Sequence, residues 1–541
     1  MPYEHTEIDH MAMDIQTYCK NYATHYRNKT NTKDKKLTRQ SQHPITNCML
    51  NCDILILAVP LTDTDKPLQA PAILKAVVEK HGYTAQTYDL NYELITSKNK
   101  ELDFLKQYFS FGTTNDHNKI ILAEDYVSDM ATKILKIYDP TFIAVSVFTY
   151  QCQTFSMLLA QHLKKIKPGI KIIFGGQGLS IASGIQSSDA WAKECKQLGL
   201  IDHYIISEGE QALLNLLKDG KGKGIDNTDW EQKLDLDDNP YPNYDDYNLE
   251  QYSFKTLMIT GSRGCVRRCT FCDIHKHWKR FVFRSGKSIA EEMIHQSERY
   301  KIYNFNFTDS LINGSMKAYR DFITVLAEHN QSAEKKLSWG GQFIVRGIHS
   351  MTEKDWKLTK ISGGDKLNVG VESGSEAVRD HMKKQFSDKD MDEFVEQAHI
   401  NKVRLQFLMI MGYPTETLHD FKLSLKMFKR YRKYQSVITK VVLGSTLSIL
   451  PGTPLAEELE QSVQMNGGEN FWVYDKNKSL DFRERIKRRI IMGEECAKMG
   501  FDVTNNNDYK LLHYLWNIYK NKQTQNVIDL NTSSLNEQKY S

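Results

Sequence analysis

The stretch GSRGCVRRCTFCDIHKHW, residues 261–278, contains three of the nine cysteines of this 541-residue chain. Cys265, Cys269 and Cys272 follow the spacing C-x3-C-x2-C, and they come directly after a short apolar stretch that is typical of a β-strand. Three thiols so close together in an arginine-rich loop are unusual for buried structural cysteines. The spacing therefore predicts a site where the three thiolates bind a metal centre.

Two kinds of metal centre suit three thiolates in one loop. They can bind three irons of a four-iron, four-sulfur cluster and leave the fourth iron open to a small molecule. A zinc ion is the alternative, with His275 or His277 completing a Cys3His tetrahedron. Structural zinc sites usually collect their ligands in two separated pairs, so a single loop favours the cluster. Arg263, Arg267 and Arg268 suit a negatively charged cluster as hydrogen-bond donors.

An alternation of strands and helices surrounds the cysteine loop in residues 256–455. The strand candidates are TLMITGS, NFNFTDS, LSWGGQF, KLNVGVESG, VRLQFLMIMGYP and VVLGSTLSILPGTP. Six such strands with helical patterns between several of them predict a partial (β/α)6 barrel. The cysteine loop would then lie at the C-terminal face of the barrel, where such barrels carry their chemistry.

Residues 49–220 contain an earlier alternation of continuous apolar strands and helices, which predicts a doubly wound, Rossmann-like α/β domain. Ligands of such sheets bind beyond the carboxyl ends of the strands. Gly175, Gly176 and Gly178 follow the apolar stretch IKIIF at such an end, where a missing side chain lets a ligand approach the backbone. We expect residues 1–48 to form a polar leader, residues 221–255 a linker and residues 456–541 a helical C-terminal region.

Composition limits the class of protein. A chain of this length needs more than one core, and 40% hydrophobic residues with a net charge of +4 indicate a soluble protein and name no partner. The absence of a long apolar segment and of a signal-peptide pattern predicts a cytoplasmic location. Sparse cysteines argue against a disulfide framework. The basic stretch RERIKRR, residues 483–489, is predicted to be a solvated helix face, with nucleic-acid binding as the alternative.

On these residues the chain resembles the radical S-adenosylmethionine (SAM) superfamily, whose hallmark is CxxxCxxC with an aromatic residue before the third cysteine. Further matching stretches follow in the order of that family: FTDSLIN, WGGQFIVR, GVESGSE, MGYPTET and LPGTPLAEE. The resemblance implies a [4Fe-4S] cluster on Cys265, Cys269 and Cys272 whose open iron is chelated by SAM. It also implies that one electron from the reduced cluster splits the sulfonium of SAM to give a 5′-deoxyadenosyl radical.

The same resemblance assigns seven residues to SAM binding. They are Phe271, Asp309, Ser310, Arg346, Glu372, Ser373 and Gly412. Phe271 would stack on the adenine ring, as a flat aromatic face allows. Asp309 and Ser310 would meet the amino end of SAM, where an anionic acceptor suits an ammonium group.

The other four of these residues come from later strands. Arg346 would bind the SAM carboxylate through a bidentate fork or, alternatively, hold a strand end. Glu372 and Ser373 would accept from and donate to the ribose hydroxyls. Gly412 would shape a turn near the adenine.

Residues 49–220 resemble the cobalamin-binding domain that precedes the barrel in a large subgroup of this superfamily. The matching stretches are PLQAPAILKAVVEKHGYTAQTYDLN, AVSVFTYQ, IIFGGQG and ISEGEQALL. The resemblance implies that Ser146 and Thr149 face the nucleotide tail of cobalamin and that Gly175 and Gly176 admit it. Many such domains carry a D-x-H-x-x-G motif after the first strand, but this chain has PLTDTDKPLQAP there. Cobalamin would therefore bind without a protein imidazole below the cobalt, or the domain keeps only the fold.

The resulting prediction is an enzyme that abstracts a hydrogen atom from an unactivated carbon or, as a transferase, delivers a methyl group there by way of cobalamin. The expected substrate is a metabolite, lipid or peptide, because no nucleic-acid domain is evident. A reducing donor such as flavodoxin or ferredoxin is implied as partner. Two alternatives stay open: a non-catalytic cobalamin- or nucleotide-binding sensor with a degenerate barrel, and a zinc-stabilised interaction protein.

Overall fold

The protein consists of two compact units. The first contains Met1–Met258 and Glu298–Ile302, and the second contains Ile259–Ser297 and Tyr303–Ser541. The computed structural model describes residues 49–62, 66–96, 101–111, 116–179, 189–206, 208–219, 235–444, 447–465 and 472–504. The predicted leader, residues 1–48, lies outside the described residues. None of the described helices combines the length and apolar character needed to cross a membrane.

Five parallel strands form the sheet of the first unit. They are β1 (Leu50–Ala58), β2 (Ala85–Asp89), β3 (Tyr138–Ser146), β4 (Lys171–Gly175) and β5 (His203–Ile205). The strand order is β2-β1-β3-β4-β5, so the direction of winding reverses between β1 and β3. This order confirms the doubly wound α/β fold, whose ligand-binding edge lies where β1 and β3 end.

Both faces of this sheet are covered by apolar side chains. Leu55 and Leu57 of β1 belong to one core, and Ile54 and Ile56 belong to a second core that also contains Val77. Successive side chains of a strand point to opposite faces, so one continuous apolar strand supplies both cores. The helices are α1 (Gln69–Lys80), α2 (Leu90–Thr96), α3 (Glu101–Phe111), α4 (His117–Ile137), α5 (Gln153–Ile166), α6 (Ala190–Gln197) and α7 (Gly209–Asp219).

Three of these helices, α2 to α4, lie between β2 and β3, where the sequence pattern predicted no element. The signal for α4 is present in the sequence, because Asp116 caps its first turn by accepting a hydrogen bond from the Asn118 backbone N–H at 3.1 Å. Ala123, Val127 and Ala131 then recur at intervals of four and are fully buried. An aspartate followed by this spacing predicts a helix start.

Residues 235–255, predicted as part of a linker, pack onto the first unit. Lys75 of α1 forms a 2.5 Å ion pair with Asp246, and Asp246 also accepts a hydrogen bond from the Thr87 backbone N–H. Asp89, at the end of β2, accepts a 2.6 Å hydrogen bond from the Tyr252 hydroxyl. The acidic composition of this segment suggested a linker. In its described part, however, the acidic side chain of Asp246 pairs with groups of the first unit.

Six strands form the main sheet of the second unit. They are β6 (Thr256–Ile259), β9 (Asn304–Phe307), β10 (Ser338–Phe343), β11 (Gly364–Glu372), β12 (Leu405–Met409) and β13 (Ile438–Leu443), and the short β7 (Ser262–Arg263) and β8 (Val282–Phe283) pair with each other. The sheet order is β13-β12-β11-β10-β9-β6, and the pairs from β9 to β13 are parallel. Strands that follow one another along the sheet confirm the predicted partial barrel.

Helices follow the barrel strands in the second unit. They are α8 (Ile274–His277), α9 (Gly286–Tyr300), α10 (Met316–Ser332), α11 (Glu353–Ile361), α12 (Glu376–His381), α13 (Asp388–Ile400), α14 (Leu418–Tyr431), α15 (Pro454–Leu459) and α16 (Phe482–Lys498). Capping boxes begin α11, α13 and α14 at Thr352, Ser387 and Thr417, each with an aspartate three residues later. These caps fix where the chain leaves each loop at the C-terminal face of the sheet.

The C-terminal region is helical in α16 but contains two elements that the sequence did not predict. The strands β14 (Val463–Met465) and β15 (Trp472–Tyr474) form an antiparallel pair. Val503 forms a parallel bridge with Val441, and the Val441 N–H donates to the Asp502 carbonyl at 2.7 Å. The chain after α16 therefore covers the edge of β13. The second predicted helix, DYKLLHYLWNIYKN, lies outside the described residues.

The basic stretch RERIKRR lies in α16, and the prediction of a solvated face is wrong for its arginines 485, 488 and 489. All three are buried. Arg485 lies 3.7 Å from the centre of the Trp472 ring and donates to the Trp472 carbonyl. Arg489 donates to the Leu443 carbonyl at 2.7 Å. Buried carbonyls and an aromatic face take the place of solvent, so these side chains present no basic surface to nucleic acid.

Candidate functional site

The cysteine loop begins where β6 ends, at the C-terminal face of the sheet of the second unit. Cys265, Cys269 and Cys272 are each half-buried. The Cys272 N–H donates to the Cys269 carbonyl at 3.1 Å, and the Arg267 N–H donates to the Cys265 sulfur at 3.4 Å. Gly264 has φ +84°, and a Cβ there would lie 2.6 Å from the Arg280 carbonyl oxygen. Only glycine fits the turn that starts this loop.

The three thiols lie near enough to affect one another. Burial raises the pKa of all three, to about 11 for Cys272. The charge of Cys269 further raises the pKa of both Cys265 and Cys272. Three soft sulfur donors in one partly enclosed loop fit a cluster in which each thiolate binds a different iron.

The zinc alternative would need ligands that converge on a single ion. Within the described ranges, no group of three or more histidine, cysteine, aspartate or glutamate side chains is arranged in this way. His275 Nε2 lies 2.6 Å from the Arg267 carbonyl oxygen, so this nitrogen carries the proton and donates. This hydrogen bond leaves only Nδ1 of His275 as a nitrogen that could bind zinc.

Asp309 fixes the start of the cysteine loop. One carboxylate oxygen accepts a hydrogen bond from the Gly261 N–H at 2.8 Å, and the other accepts from the Ser262 hydroxyl at 2.5 Å. Burial raises the pKa of Asp309 to about 7. The Arg284 N–H also donates to the Gly261 carbonyl at 2.8 Å. The residue predicted to meet the SAM amino group therefore has both oxygens engaged with the chain.

A chain of hydrogen bonds fixes the middle of the loop at Thr270. The Thr270 hydroxyl lies 2.8 Å from the Tyr413 hydroxyl, which lies 3.0 Å from His381 Nδ1. His381 Nε2 is 3.0 Å from a carboxylate oxygen of Glu458. The Leu455 N–H donates to the Thr270 carbonyl at 2.8 Å. The residue that directly follows Cys269 is thus tied to the loop after β12 and to α12 and α15.

Glu372, predicted to bind ribose, forms an ion pair instead within the chain. Lys384 Nζ lies 3.1 Å from Glu372 Oε1, and both side chains are 11% exposed. Ser373 is fully buried and its hydroxyl accepts a hydrogen bond from the Ser375 N–H at 3.1 Å. Both residues stand at the end of β11, on the same side of the sheet as the cysteine loop.

The remaining predicted SAM residues also lie at this face. Arg346 follows β10 and donates to the carbonyls of Asn313 and Gly314 at 3.0 and 2.9 Å, which matches the strand-end alternative. Phe271 is half-buried against the apolar cluster around Tyr413. These contacts leave the SAM assignment of both side chains a prediction.

Ser310 and Gly412 complete the predicted set. Ser310 is half-buried directly after Asp309. Gly412 has φ +80°, and a Cβ there would lie 2.4 Å from Arg485 Cγ. The need for glycine at position 412 is therefore explained by the close approach of α16.

The carboxyl edge of the first unit brings the predicted cobalamin residues together. Ser146 of β3 pairs in register with Gly175 of β4. The Thr149 hydroxyl donates to the Leu61 carbonyl at 3.4 Å. Phe148 and Tyr150 are 46% and 51% exposed at this edge. Small, hydroxyl-bearing and exposed aromatic residues next to the reversal of strand order fit a large ligand with apolar and polar parts.

The glycines at this edge differ in the space around them. A Cβ at Gly175 would meet only the Ile205 carbonyl oxygen, at 3.9 Å. At Gly176 it would lie 2.6 Å from the Val147 carbonyl oxygen, and at Gly178 it would lie 2.4 Å from the Thr149 carbonyl oxygen. Backbone packing therefore requires Gly176 and Gly178, whereas Gly175 leaves open space.

Sequence reasoning missed Lys384, Tyr413 and Thr270 as neighbours of the cysteines. Thr270 lies inside the CxxxCxxC motif, so the sequence shows that it is next to the cysteines. Its partners, however, come from distant parts of the chain. Nothing in the local pattern around Lys384 marks it, because its importance arises only when the end of α12 meets the loop after β6.

Comparison with known proteins agrees with these features. The family model of the radical SAM superfamily matches residues 259–428. An uncharacterised methyltransferase of Pyrococcus horikoshii is 23% identical over 349 residues, which cover 60% of this chain and 72% of that protein.

Two solved structures share the two-unit fold. The radical SAM methyltransferase TsrM from Kitasatospora setae, solved with cobalamin and a [4Fe-4S] cluster, has a TM-score of 0.55 at 15% identity and covers 77% of this chain and 81% of its own. The cobalamin-dependent SAM radical enzyme OxsB has a TM-score of 0.59 at 14% identity and covers 84% of this chain and 67% of its own.

Proposed function

Because residues 259–428 match the family model of the radical SAM superfamily, we propose that this chain binds a [4Fe-4S] cluster through Cys265, Cys269 and Cys272 and cleaves SAM reductively to start radical chemistry on an organic substrate. The observation that carries the proposal is the grouping of three mutually interacting thiols in one loop at the C-terminal face of the barrel. The nearest cysteines before and after these three in the sequence are Cys195 and Cys496. The fourth iron would therefore keep an open position.

When bound, the cluster supplies one electron to the sulfonium of SAM. The chain would hold the loop rigid through Asp309 at its start and Thr270 at its centre. Phe271 would lie against the adenine, and Ser310 and Arg346 would line the same face. A fixed loop keeps SAM in one orientation and limits the access of water to the reacting centre.

We propose further that the first unit binds cobalamin and that the reaction is the transfer of a methyl group to an unactivated carbon. Ser146, Thr149 and Gly175 would contact the nucleotide tail, and the open space at Gly175 supports this placement. The chain offers no histidine in the loop after β1, so cobalamin would bind without a protein imidazole below the cobalt. The fold is shared by TsrM, which was solved with cobalamin bound, and by the cobalamin-dependent enzyme OxsB, which supports this placement.

The substrate is proposed to be a metabolite, lipid or peptide rather than a nucleic acid. The burial of Arg485, Arg488 and Arg489 leaves only Arg483 and Lys487 as exposed basic side chains of this stretch, which weakens the case for transfer RNA. A low-potential donor such as flavodoxin or ferredoxin would deliver the electron.

Oxygen-free purification of the full chain tests the cluster. We expect about four irons and four sulfides per chain, and 5′-deoxyadenosine on addition of SAM and dithionite. Cys269→Ala should abolish both, whereas Cys496→Ala, which replaces a buried thiol in α16, should retain both. A wild-type chain that binds no iron and sulfide, or that forms no 5′-deoxyadenosine with a full cluster, contradicts the proposal.

Equilibrium binding of hydroxocobalamin to the full chain tests the first unit. We expect binding that SAM and the cluster do not abolish. Failure to bind, together with retained SAM cleavage, would leave hydrogen abstraction without methyl transfer as the function, and the first unit would keep only the fold.

A further inference from the structure

A buried ion pair stands at the end of β11, where the sequence predicted a ribose-binding glutamate. Lys384 Nζ lies 3.1 Å from Glu372 Oε1. A Cβ at Gly370 would lie 2.4 Å from Glu372 Oε1 and 2.9 Å from Lys384 Nζ. The absence of a side chain at Gly370 therefore leaves the room that the ion pair occupies.

The segment that carries Lys384 is fixed to the cysteine loop by two contacts. The Thr270 N–H donates to the Met382 carbonyl at 3.1 Å, and Arg267 Nη1 donates to the side-chain oxygen of Gln385. Arg267 and Thr270 stand on either side of Cys269 in the chain. Residues 382–385 therefore follow the loop closely, with Lys384 between the two points of attachment.

The backbone around the ion pair is held in an unfavourable conformation. Lys383 and Gln385, on either side of Lys384, have φ +57° and +56°, and Glu372 has φ +65°. Residues other than glycine adopt this left-handed region at a cost, and such strain persists where surrounding contacts impose it. The chain thus accepts strained backbone at Glu372 and on either side of Lys384, where the two charges meet.

The charges of the pair act on the cysteines with opposite signs. Burial raises the pKa of Cys269, the charge of Lys384 lowers it and the charge of Glu372 raises it. Burial by itself would lower the pKa of Lys384, but the charges of Glu372 and then of Cys269 raise it. The attachments of Met382 and Gln385 to the two sides of Cys269 place the poorly solvated Lys384 next to this part of the loop, where charges interact strongly.

We propose that Lys384 and Glu372 set the reduction potential of the cluster, with Lys384 raising it and Glu372 lowering it. This inference rests on the proposed function, since it requires a cluster on the three cysteines. Reduction adds one electron to a cluster that is already negative. A buried cation beside two of its ligands stabilises the reduced form, and a buried carboxylate destabilises it.

The test is a redox titration of the reconstituted full chain, followed by the electron paramagnetic resonance signal of the reduced cluster. Lys384→Met should shift the potential to more negative values, and Glu372→Gln should shift it to less negative values. The double variant should return close to the wild-type potential, because both charges are lost together. Lys384→Arg, which keeps the charge, should shift it least among the variants at position 384.

A purely structural ion pair would give a different result, because both single variants would then loosen the same contact. Shifts in the same direction, or no shift in either variant at normal iron content, would overturn the inference. If Lys384→Met fails to hold a cluster, the Glu372→Gln variant alone tests the inference. An unchanged or more negative potential in Glu372→Gln would then contradict the inference. Lys75→Met, which removes a buried lysine from its ion pair with Asp246 in the first unit, is the control and should leave the potential unchanged.

These measurements distinguish failure of the proposed function from failure of the role assigned to the ion pair. A wild-type chain without a cluster contradicts the proposed function itself. A wild-type chain that holds a cluster and cleaves SAM, with variants that do not shift as described, contradicts only the assignment of Lys384 and Glu372.

Discussion

Arg488 Nη1 lies 2.8 Å from Glu416 Oε1, and this ion pair joins α16 to the loop that follows β12. The two side chains are 4% and 0% exposed. Arg488 also donates to the Glu416 and Thr417 carbonyls, and Glu416 Oε1 accepts from the Gly412 N–H at 3.2 Å. The helix that the sequence placed outside the barrel is thus bound to the face that carries the candidate site.

Replacing Glu416 with alanine should destabilise the second unit strongly. The change removes one of the two carboxylates that pair with the buried Arg488 and leaves Glu484 at 3.1 Å as the other, so we expect a cost of about 3 kcal/mol in the free energy of unfolding, the lower end for a broken buried pair. Chemical unfolding followed by tryptophan fluorescence measures it. Glu495→Ala, in an exposed pair with Lys498 on the same helix, should have a much smaller effect, because solvent screens that pair. Equal losses of stability in the two variants would show that the buried pair stabilises the second unit no more than the exposed pair does.

Asp309 should make the stability of the second unit depend on pH. Burial raises its pKa from 3.8 to about 7, so the folded state binds a proton that the unfolded state releases over this range. The free energy of unfolding from this group is therefore largest at low pH and falls as pH rises, by up to about 1.4 kcal/mol per pH unit, until pH exceeds about 7.

Urea unfolding at several pH values between about 4 and 8 tests the contribution of Asp309. Asp309→Asn keeps the shape and can still pair with Ser262 and Gly261, but it cannot titrate. The wild type should lose stability relative to this variant as pH rises. Parallel curves for the two proteins would refute the assignment.

Tyr413→Phe should lower the iron content of the reconstituted chain. The change removes the hydroxyl that connects Thr270, which lies between the proposed ligands Cys269 and Cys272, to His381. Tyr319→Phe is a matched control, because its buried hydroxyl contacts Thr359 at 2.6 Å and stands away from the cysteine loop. Each variant should lose about 1–2 kcal/mol of stability. Only Tyr413→Phe should lose iron, and an equal loss in both would point to general destabilisation.

Gly175→Val should weaken cobalamin binding without unfolding the first unit. The new side chain enters the open space at the end of β4, where the nearest atom to its Cβ is 3.9 Å away. We expect at least a tenfold loss of hydroxocobalamin affinity, about 1.4 kcal/mol. Gly178→Ala should instead destabilise the unit, because its Cβ would meet the Thr149 carbonyl oxygen at 2.4 Å. Unchanged affinity in Gly175→Val would place the ligand elsewhere.

Sequence patterns predicted the parts of the fold that local chemistry dictates. Apolar strands and the CxxxCxxC spacing are repeated signals, and they located both sheets and the candidate cluster loop. Of the helices between β2 and β3, α4 was missed because its signal depends on a cap at Asp116 followed by small buried residues. The hairpin of β14 and β15 gave no alternation long enough to recognise.

The identity of the neighbours of the site could not be predicted, because these arise from contacts between residues far apart in the chain. The arginines of α16 appeared solvated from composition, yet Glu416 and Trp472 bury them. The ion pair of Glu372 with Lys384 could not be foreseen either, and the ribose-binding role of Glu372 stays a prediction. The sequence shows that a residue is charged, but it does not show whether water solvates the side chain or a buried group of the protein pairs with it.

The bridge from Val503 to Val441 has a consequence for how the chain is made. The outermost strand of the barrel leaves the ribosome long before the segment that shields it, so for that interval its free backbone groups can recruit a neighbouring nascent chain. In a chain truncated before Asp502, the edge of β13 would stay uncovered. Such shortened chains should self-associate even though Cys265, Cys269 and Cys272 are all present.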